Sequence, residues 1–502
     1  MSHALNVRQR LAVLMAAITL LAVACSGATV PAGPPPDTVR IPTGSQIGTG
    51  RIPMTCDVPI LGPQTFLASA TGAVATVLGP GQQFFITEVH GSLEISDWLR
   101  DAAPLLGITQ ADARVTDIGI HTTNATPAVL NAVQEPLVVD DIPVTPGVPL
   151  VVPAPRDGNL TVGPFTAGQG GAVELTLGTA AAEITLQNAD GATVLGPLNV
   201  TCRAPDPPLV IAAISINPAA GGPPSRFDGV DTPTFGLAAG NVEGSLSAPL
   251  SCTVSGLGTV RLDAILTGEL PAVLPQGQEY RLRQVSGAII IPAGLVDAMR
   301  AAFPGATQLS GVIDRLDIRA ENATPATLNV AASPFAFPSV ALAPGRETII
   351  RIPASGRLTV GPWTPGGGAA TTMTWGASGG SVQLRNSSGG AVGDPLTIAC
   401  QAPVGPVILL RQAISTGTVP QVTAITPSSG PAAGGGSVTI TGTGFTGAVA
   451  VNFGAGTGSF SVGSDTSITA NVPRGTGTVD VSVLGPNGPS ALTPAARYTY
   501  TG

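Results

Sequence analysis

Gly158-Asn-Leu-Thr-Val-Gly-Pro-Phe165 returns 198 residues later as Gly356-Arg-Leu-Thr-Val-Gly-Pro-Trp363. The match extends outward in both directions. Asn124-Ala-Thr-Pro127 recurs as Asn322-Ala-Thr-Pro325, and Pro197-Leu-Asn-Val-Thr-Cys202 recurs as Pro395-Leu-Thr-Ile-Ala-Cys400. Cys56 opens the first copy and Cys252 the second at an offset of 196, so two residues are inserted before Asn322. A repeat of this length sets the domain layout before any local pattern is read. It predicts a signal segment at 1–24, a tether at 25–40, repeat domains at 41–208 and 235–410, linkers at 209–234 and 411–419, and a last domain at 420–502.

Period-two alternation runs through both copies. Val173, Leu175 and Leu177 alternate with Glu174 and Thr176, then Ile184 and Leu186 with Glu183, Thr185 and Gln187. Met373 and Trp375, then Val382 and Leu384, answer in the second copy. Such alternation gives each strand one buried and one solvated face, as in antiparallel sandwiches. Asn188-Ala-Asp-Gly191 and Asn386-Ser-Ser-Gly389 carry hairpin chemistry. One short helix is expected per copy. Pro292 opens one with Leu295, Val296, Met299, Ala302 and Phe303 on a face; Ser96 caps the other, with Leu99, Ala102 and Ala103 inward. The expected fold class is all-β, with tandem antiparallel sandwiches.

At 502 residues the chain calls for roughly three or four domains. With 65 glycines, 48 prolines and 10% charged residues it favours short strands and many turns, and at 43% hydrophobic it is too apolar for general disorder. Net charge is −8 and no basic cluster occurs, which excludes a nucleic-acid partner on electrostatic grounds.

Arg8 and Arg10 precede an apolar run from Leu11 to Ala24 that ends in Ala22-Val-Ala24, the composition of an export signal. The run is shorter than the ~20 residues a membrane span requires. Cys25 follows directly, and the junction resembles the lipobox of bacterial lipoproteins. Ala22 stands where leucine is more frequent, and Ala-Val-Ala also suits ordinary signal peptidase, so a secreted protein with a free thiol is the alternative. The remaining cysteines bracket the two copies. Pairing Cys56 with Cys202 and Cys252 with Cys400 leaves Cys25 as the odd one, the expected lipid attachment site. Loops of 146 and 148 residues give each bridge about 5 kcal/mol of chain-entropy benefit. Ser26 to Asp37 contains four prolines and reads as an extended tether.

The duplicated unit, on its Thr55-Cys-Asp-Val-Pro-Ile-Leu-Gly62 opening and its cysteine bracket, resembles a domain of unknown function from exported proteins of high-GC Gram-positive bacteria. That resemblance implies no activity. Further on, Ile425-Thr-Pro-Ser-Ser-Gly-Pro431, Gly434-Gly-Gly-Ser-Val-Thr-Ile440 and Thr441-Gly-Thr-Gly-Phe445 resemble the opening of an IPT/TIG domain, which implies an immunoglobulin-like sandwich. Such modules serve as spacers, binders or dimerisation surfaces, so the resemblance implies a fold more than a function.

A shared catalytic site would have to use shared residues. His90 aligns with Ser286 and His121 with Arg319, so the copies have no histidine in common. Asp140-Asp141 lacks further carboxylates at ligating spacing, and Gly366-Gly-Gly368 and Gly434-Gly-Gly436 lack the Lys-Ser/Thr of a phosphate loop. The expectation is no catalytic residue, no metal ligand and no cofactor. The leading reading is an exported, lipid-anchored envelope protein that binds or organises an envelope polymer or surface protein. One alternative is an envelope polysaccharide or ester hydrolase, which needs a cleft with two carboxylates about 5–10 Å apart. Another is a lipid carrier, which needs apolar cavities above about 300 Å³ in each copy.

Overall fold

The computed structural model describes residues 45–502 except 60, 96–102, 104, 146–149, 218–236 and 404–405, and leaves the side chains of 45–47 and 49 undescribed. Cys25, the signal segment, the tether and most of the first copy's expected helix lie outside the described residues. Of that helix, Ala103, Leu105 and Leu106 are helical. The second copy's helix spans Ala293–Ala302 behind Pro292 and buries Val296 and Met299; Leu295 and Phe303 lie against the same core, while Ala302 faces out.

Each copy is a long-stranded antiparallel sheet folded over on itself. In the first copy Ser45–Val58 pairs with Gly62–Ala75, which pairs with Gln83–Ile95. The opposing layer is Gly171–Gln187 against Gln110–Thr123 and Leu137–Pro143. Thr193–Cys202 joins the layers by pairing with both Gly171–Gln187 and Ser45–Val58. The register sets Cys56 opposite Cys202 and Cys252 opposite Cys400, and disulfides join both pairs.

Gly171–Gln187 is one strand serving two cores. Val173, Leu175 and Leu177 bury odd positions, while Ala182, Ile184 and Leu186 bury even ones. The phase changes where the register slips between Leu177 and Ala180, a bulge that adds one residue and re-aims the rest of the strand. Gly178 sits at the slip because a Cβ there would come within 2.8 Å of the His121 ring. Each copy therefore has a large core at its disulfide end and a smaller one at the other. The aromatic that ends the repeated Leu-Thr-Val-Gly-Pro motif anchors the smaller core. Phe165 stacks on Phe84 and Trp363 on Tyr280, with centroids 5.4 and 6.0 Å apart.

Strands run into both expected linkers, through residues 210–216 of the linker 209–234 and 411–415 of the linker 411–419. Val210–Ile216 pairs with Gly171–Thr176, and Ile408–Ser415 pairs with Ala370–Thr374. The preceding strand ends at Cys202, and the apolar run that follows Pro207-Pro208 re-enters the sheet. The copies are also not separated beads. Only Cys56 and Asp57 of the first strand pair with its own copy's last strand, which leaves its beginning an open edge. Unpaired edges are covered in folded proteins, and here each copy covers the other. Gln46–Arg51 pairs antiparallel with Asn241–Leu246, with Gly48 opposite Gly244. These two glycines are equivalent at the 196 offset, so a pseudo-twofold axis passes between them.

The last domain is a two-layered sandwich. Gln421–Thr426, Ser437–Thr443, Ser467–Asn471 and Phe460–Ser464 form one sheet. Ser429–Pro431, Arg497–Thr501, Thr478–Gly485, Ala450–Phe453 and Gly456–Gly458 form the other. Val438, Ile440, Phe445, Val481, Val483 and Tyr498 fill the space between. Gly442 is required, since a Cβ would lie 1.8 Å from the Gln421 carbonyl and 2.5 Å from the Phe445 ring. This sandwich packs against both copies rather than hanging from a linker. Buried Asn452 accepts from the Ala239 amide and donates to its carbonyl, both at 3.0 Å. Arg51 reaches Thr457 Oγ1 at 2.7 Å while its other amino group pairs with Glu94.

Candidate functional site

The pseudo-axis brings together segments far apart in sequence. Val210, Ala213 and Ile408 pack together where the two re-entrant strands meet. Arg411 Nε lies 2.5 Å from Glu174 Oε1 of the other copy, and Arg411 also donates to Thr372 Oγ1 at 2.8 Å. Between these strands and the paired first strands is a chamber of about 230 Å³. Its wall runs from Met54, Ile184 and Cys202 in the first copy, past Gly48 and Gly244, to Leu270, Leu282 and Val285 in the second. Most of the wall is aliphatic or glycine; its buried or half-buried polar members are Glu243, Arg411 and Gln412 together with the hydroxyls of Ser69, Thr71, Ser92, Ser245 and Thr267.

Glu243 is the electrostatic anomaly of the site. It is 4% exposed, and its Oε1 accepts no hydrogen bond. Arg357 lies 3.9 Å away, and Glu269 is its direct cross-strand partner. Burial pushes the carboxyl up to about 8, against the pull of Arg357 and with the help of Glu269. The side chain is therefore mostly a neutral acid at pH 7. Asn241 Nδ2 donates to Glu269 at 2.5 Å. Gln412, also 4% exposed, carries a second unpartnered acceptor at Oε1. Nothing in the sequence marks Glu243 as special, because a glutamate in an alternating strand reads as solvated.

The residues singled out from sequence do not converge. His90 is exposed on the chamber's rim, whereas His121 packs on Gly178 outside it. Asp140 and Asp141 are exposed, the Asp140 carbonyl accepting from Arg156 and the Asp141 amide donating to Asp112. The 366–368 glycine run wraps the Asn322 side chain, leaving no room for a Cβ at Gly366 or Gly368. Among the described residues no three His, Cys, Asp or Glu side chains cluster to hold a metal. The chamber at the pseudo-axis is lined by both copies together.

Shared polar residues hold backbone. Asn131 and Asn329 each accept from two amides and donate to one carbonyl. Asn124 donates to the Gly170 carbonyl, and Asn322 to that of Ala370.

Residues 420–500 match the IPT/TIG domain family, and residues 54–210 match the Family of unknown function (DUF6801). The chain is thus a multidomain all-β protein with an immunoglobulin-like module at its C-terminal end. A search of curated proteins returns no match. Solved structures with distant likeness include the Bacteroides ovatus mixed-linkage glucan utilization locus protein SGBP-B in complex with a mixed-linkage heptasaccharide. It is 10% identical over 78% of this chain and 60% of its own, with a TM-score of 0.14. The Plexin A4 extracellular region is 10% identical over 85% of this chain and 33% of its own, at TM-score 0.16. Chicken CNTN1 FN1–FN3 is 9% identical over 84% and 99%, at TM-score 0.12. The chain thus spans less than two thirds of the first two, and likeness at this level carries no argument about function. The disulfides and the immunoglobulin-like module fit an extracellular setting. No helix among the described residues is long and apolar enough to cross a membrane.

Proposed function

We propose that the protein is an exported, non-enzymatic binding or scaffolding component of the cell envelope, held to the outer face of the membrane through a lipid on Cys25. One observation carries the non-enzymatic part: the asparagines common to both copies are engaged with backbone amides and carbonyls. Duplication preserves a function only through residues both copies retain, and these retained side chains maintain loops. The cross-strand carboxylates Glu243 and Glu269 are the strongest feature in favour of a hydrolase. They belong to one copy, and Glu243 is buried in a wall that is aliphatic or glycine over most of its extent.

The partner is a polymer or surface protein of the envelope, met by the outer faces of the three packed domains. The test uses the full chain expressed with its signal. Wild type should fractionate with membranes and bind purified envelope saturably, with no hydrolysis of peptidoglycan, polysaccharide or ester substrates, and Cys25→Ser should appear in the medium. Identical fractionation of the two would refute the anchor. Turnover abolished by Glu243→Gln or Glu269→Gln would establish the enzyme instead.

A further inference from the structure

We propose that the face each copy presents at the pseudo-axis is a self-complementary docking surface for a copy in a second molecule of this chain, and that the Arg411–Glu174 pair restricts it to unlike copies, first against second. The register carries the self-complementarity. At the 196 offset Gln46 is equivalent to Val242 and Gly50 to Leu246, and the strands pair Gln46 with Leu246 and Gly50 with Val242. Ile47 with Ser245 and Thr49 with Glu243 are reciprocal in the same way. Residue i meets residue j while j meets i, the rule of a twofold interface between separate subunits. The second line of contact obeys it too, since Val210 and Ile408, equivalent at the 198 offset, pack together at the axis. With glycine at the axis in both copies, backbone pairing alone admits first with first, or second with second, as readily as first with second.

One side-chain contact breaks the symmetry. Arg411 is equivalent to Ala213 and Glu174 to Thr372, so each copy holds half of an ion pair. Within its own copy Glu174 lies opposite Ala213, and Thr372 opposite Arg411. Only unlike copies bring Arg411 to Glu174. Two first copies would set two half-buried carboxylates against alanine, and two second copies would bring two arginines and no carboxylate. Both arrangements lose the charge-assisted pair, and a surface selects its partner partly by the charges left unmatched in the wrong one. Each copy also has a disulfide and two cores of its own, so its interior does not require its neighbour. The 24 residues from Asn217 to Gly240 reach up to about 80 Å when extended, and two chains that exchange copies reproduce every axis contact twice.

The surface does not depend on where the protein is anchored or on what its outer faces bind, so its failure would leave the envelope-binding reading intact. The test uses the full chain with a protease site inserted between Gly221 and Gly222, cut after folding and oxidation. Isotope-labelled and unlabelled preparations are mixed in urea with their disulfides intact, returned to buffer, and their pairs counted by native mass spectrometry. Labelled first halves should pair freely with unlabelled second halves, and unlike pairs should outnumber like ones by about tenfold or more. Glu174→Arg sets a second cation against Arg411 in unlike pairs but against Ala213 in like ones, so the ratio should fall about tenfold. Adding Arg411→Glu should restore it. If Glu174→Arg fails to fold, Arg411→Gln removes the pair without adding a charge and should lower the ratio about threefold. Halves that stay apart after refolding would overturn the assignment, as would like pairs as frequent as unlike ones in wild type. A ratio that the folded variant leaves unchanged, or that the double reversal fails to restore, would overturn the role of the Arg411–Glu174 pair.

Discussion

Replacing Glu243 by glutamine should stabilise the protein, and more so as the pH rises. The folded carboxyl holds its proton up to about pH 8, whereas a free glutamate releases it near 4.5. Between those values the folded state carries a proton that the unfolded chain lacks, so stability is full below pH 4.5 and drains as pH climbs toward 8. Each pH unit in that window removes about 1.4 kcal/mol. At pH 7 the wild type has lost about 3 kcal/mol relative to pH 4.5. Glutamine keeps the shape, cannot ionise and suffers no such loss. An unfolding entropy of roughly 2 cal/mol/K per residue over the Ile41–Gly502 body converts 3 kcal/mol to about 3 °C. Thermal melts of the oxidised chain from pH 5 to 9 should show a variant-minus-wild-type difference that grows from near zero and levels off above pH 8. A difference independent of pH, or a variant less stable than wild type at pH 8, would refute the burial of an ionisable group at the pseudo-axis.

Other consequences are open to measurement. Cys56→Ala with Cys202→Ala should cost about 3–5 kcal/mol, and non-reducing peptide mapping of wild type should find no bridge between copies. Asn452→Ala strips two buried bonds from the Ala239 backbone and should weaken docking of the last domain by about 2–4 kcal/mol, seen as faster proteolysis between Ser415 and Gln421. Gly442→Ala should unfold that domain selectively, since no shift of a side chain relieves the contact with the Gln421 carbonyl.

The last domain was the most legible part of the chain. Alternation at Val438, Ile440, Val481 and Val483 coincides with the buried positions, and its corner glycines mark the turn onto Phe445. In the repeats, alternation before Gly178 and after Ala182 locates the strand, but the phase change between them comes from a bulge that Gly178-Thr-Ala-Ala-Ala182 does not announce. The apolar runs Val210–Ile216 and Ile408–Ser415, equivalent at the 198 offset, were a signal for strands that the neighbouring prolines obscured. Glu243 was out of reach. Its burial is produced by one copy's first strand lying on the other's, and a single sequence contains no trace of which edges meet.

Without that meeting of edges the chamber has no shared wall and Glu243 no reason to be buried. Hydrogen exchange followed by mass spectrometry on the intact, oxidised protein tests it most directly. Peptides covering 46–51 and 241–246 should exchange as slowly as the central strand Gly62–Ala75. Exchange in both at the rate of the exposed turn at 188–191 would mean that the copies are separate and that the pseudo-axis does not exist in solution.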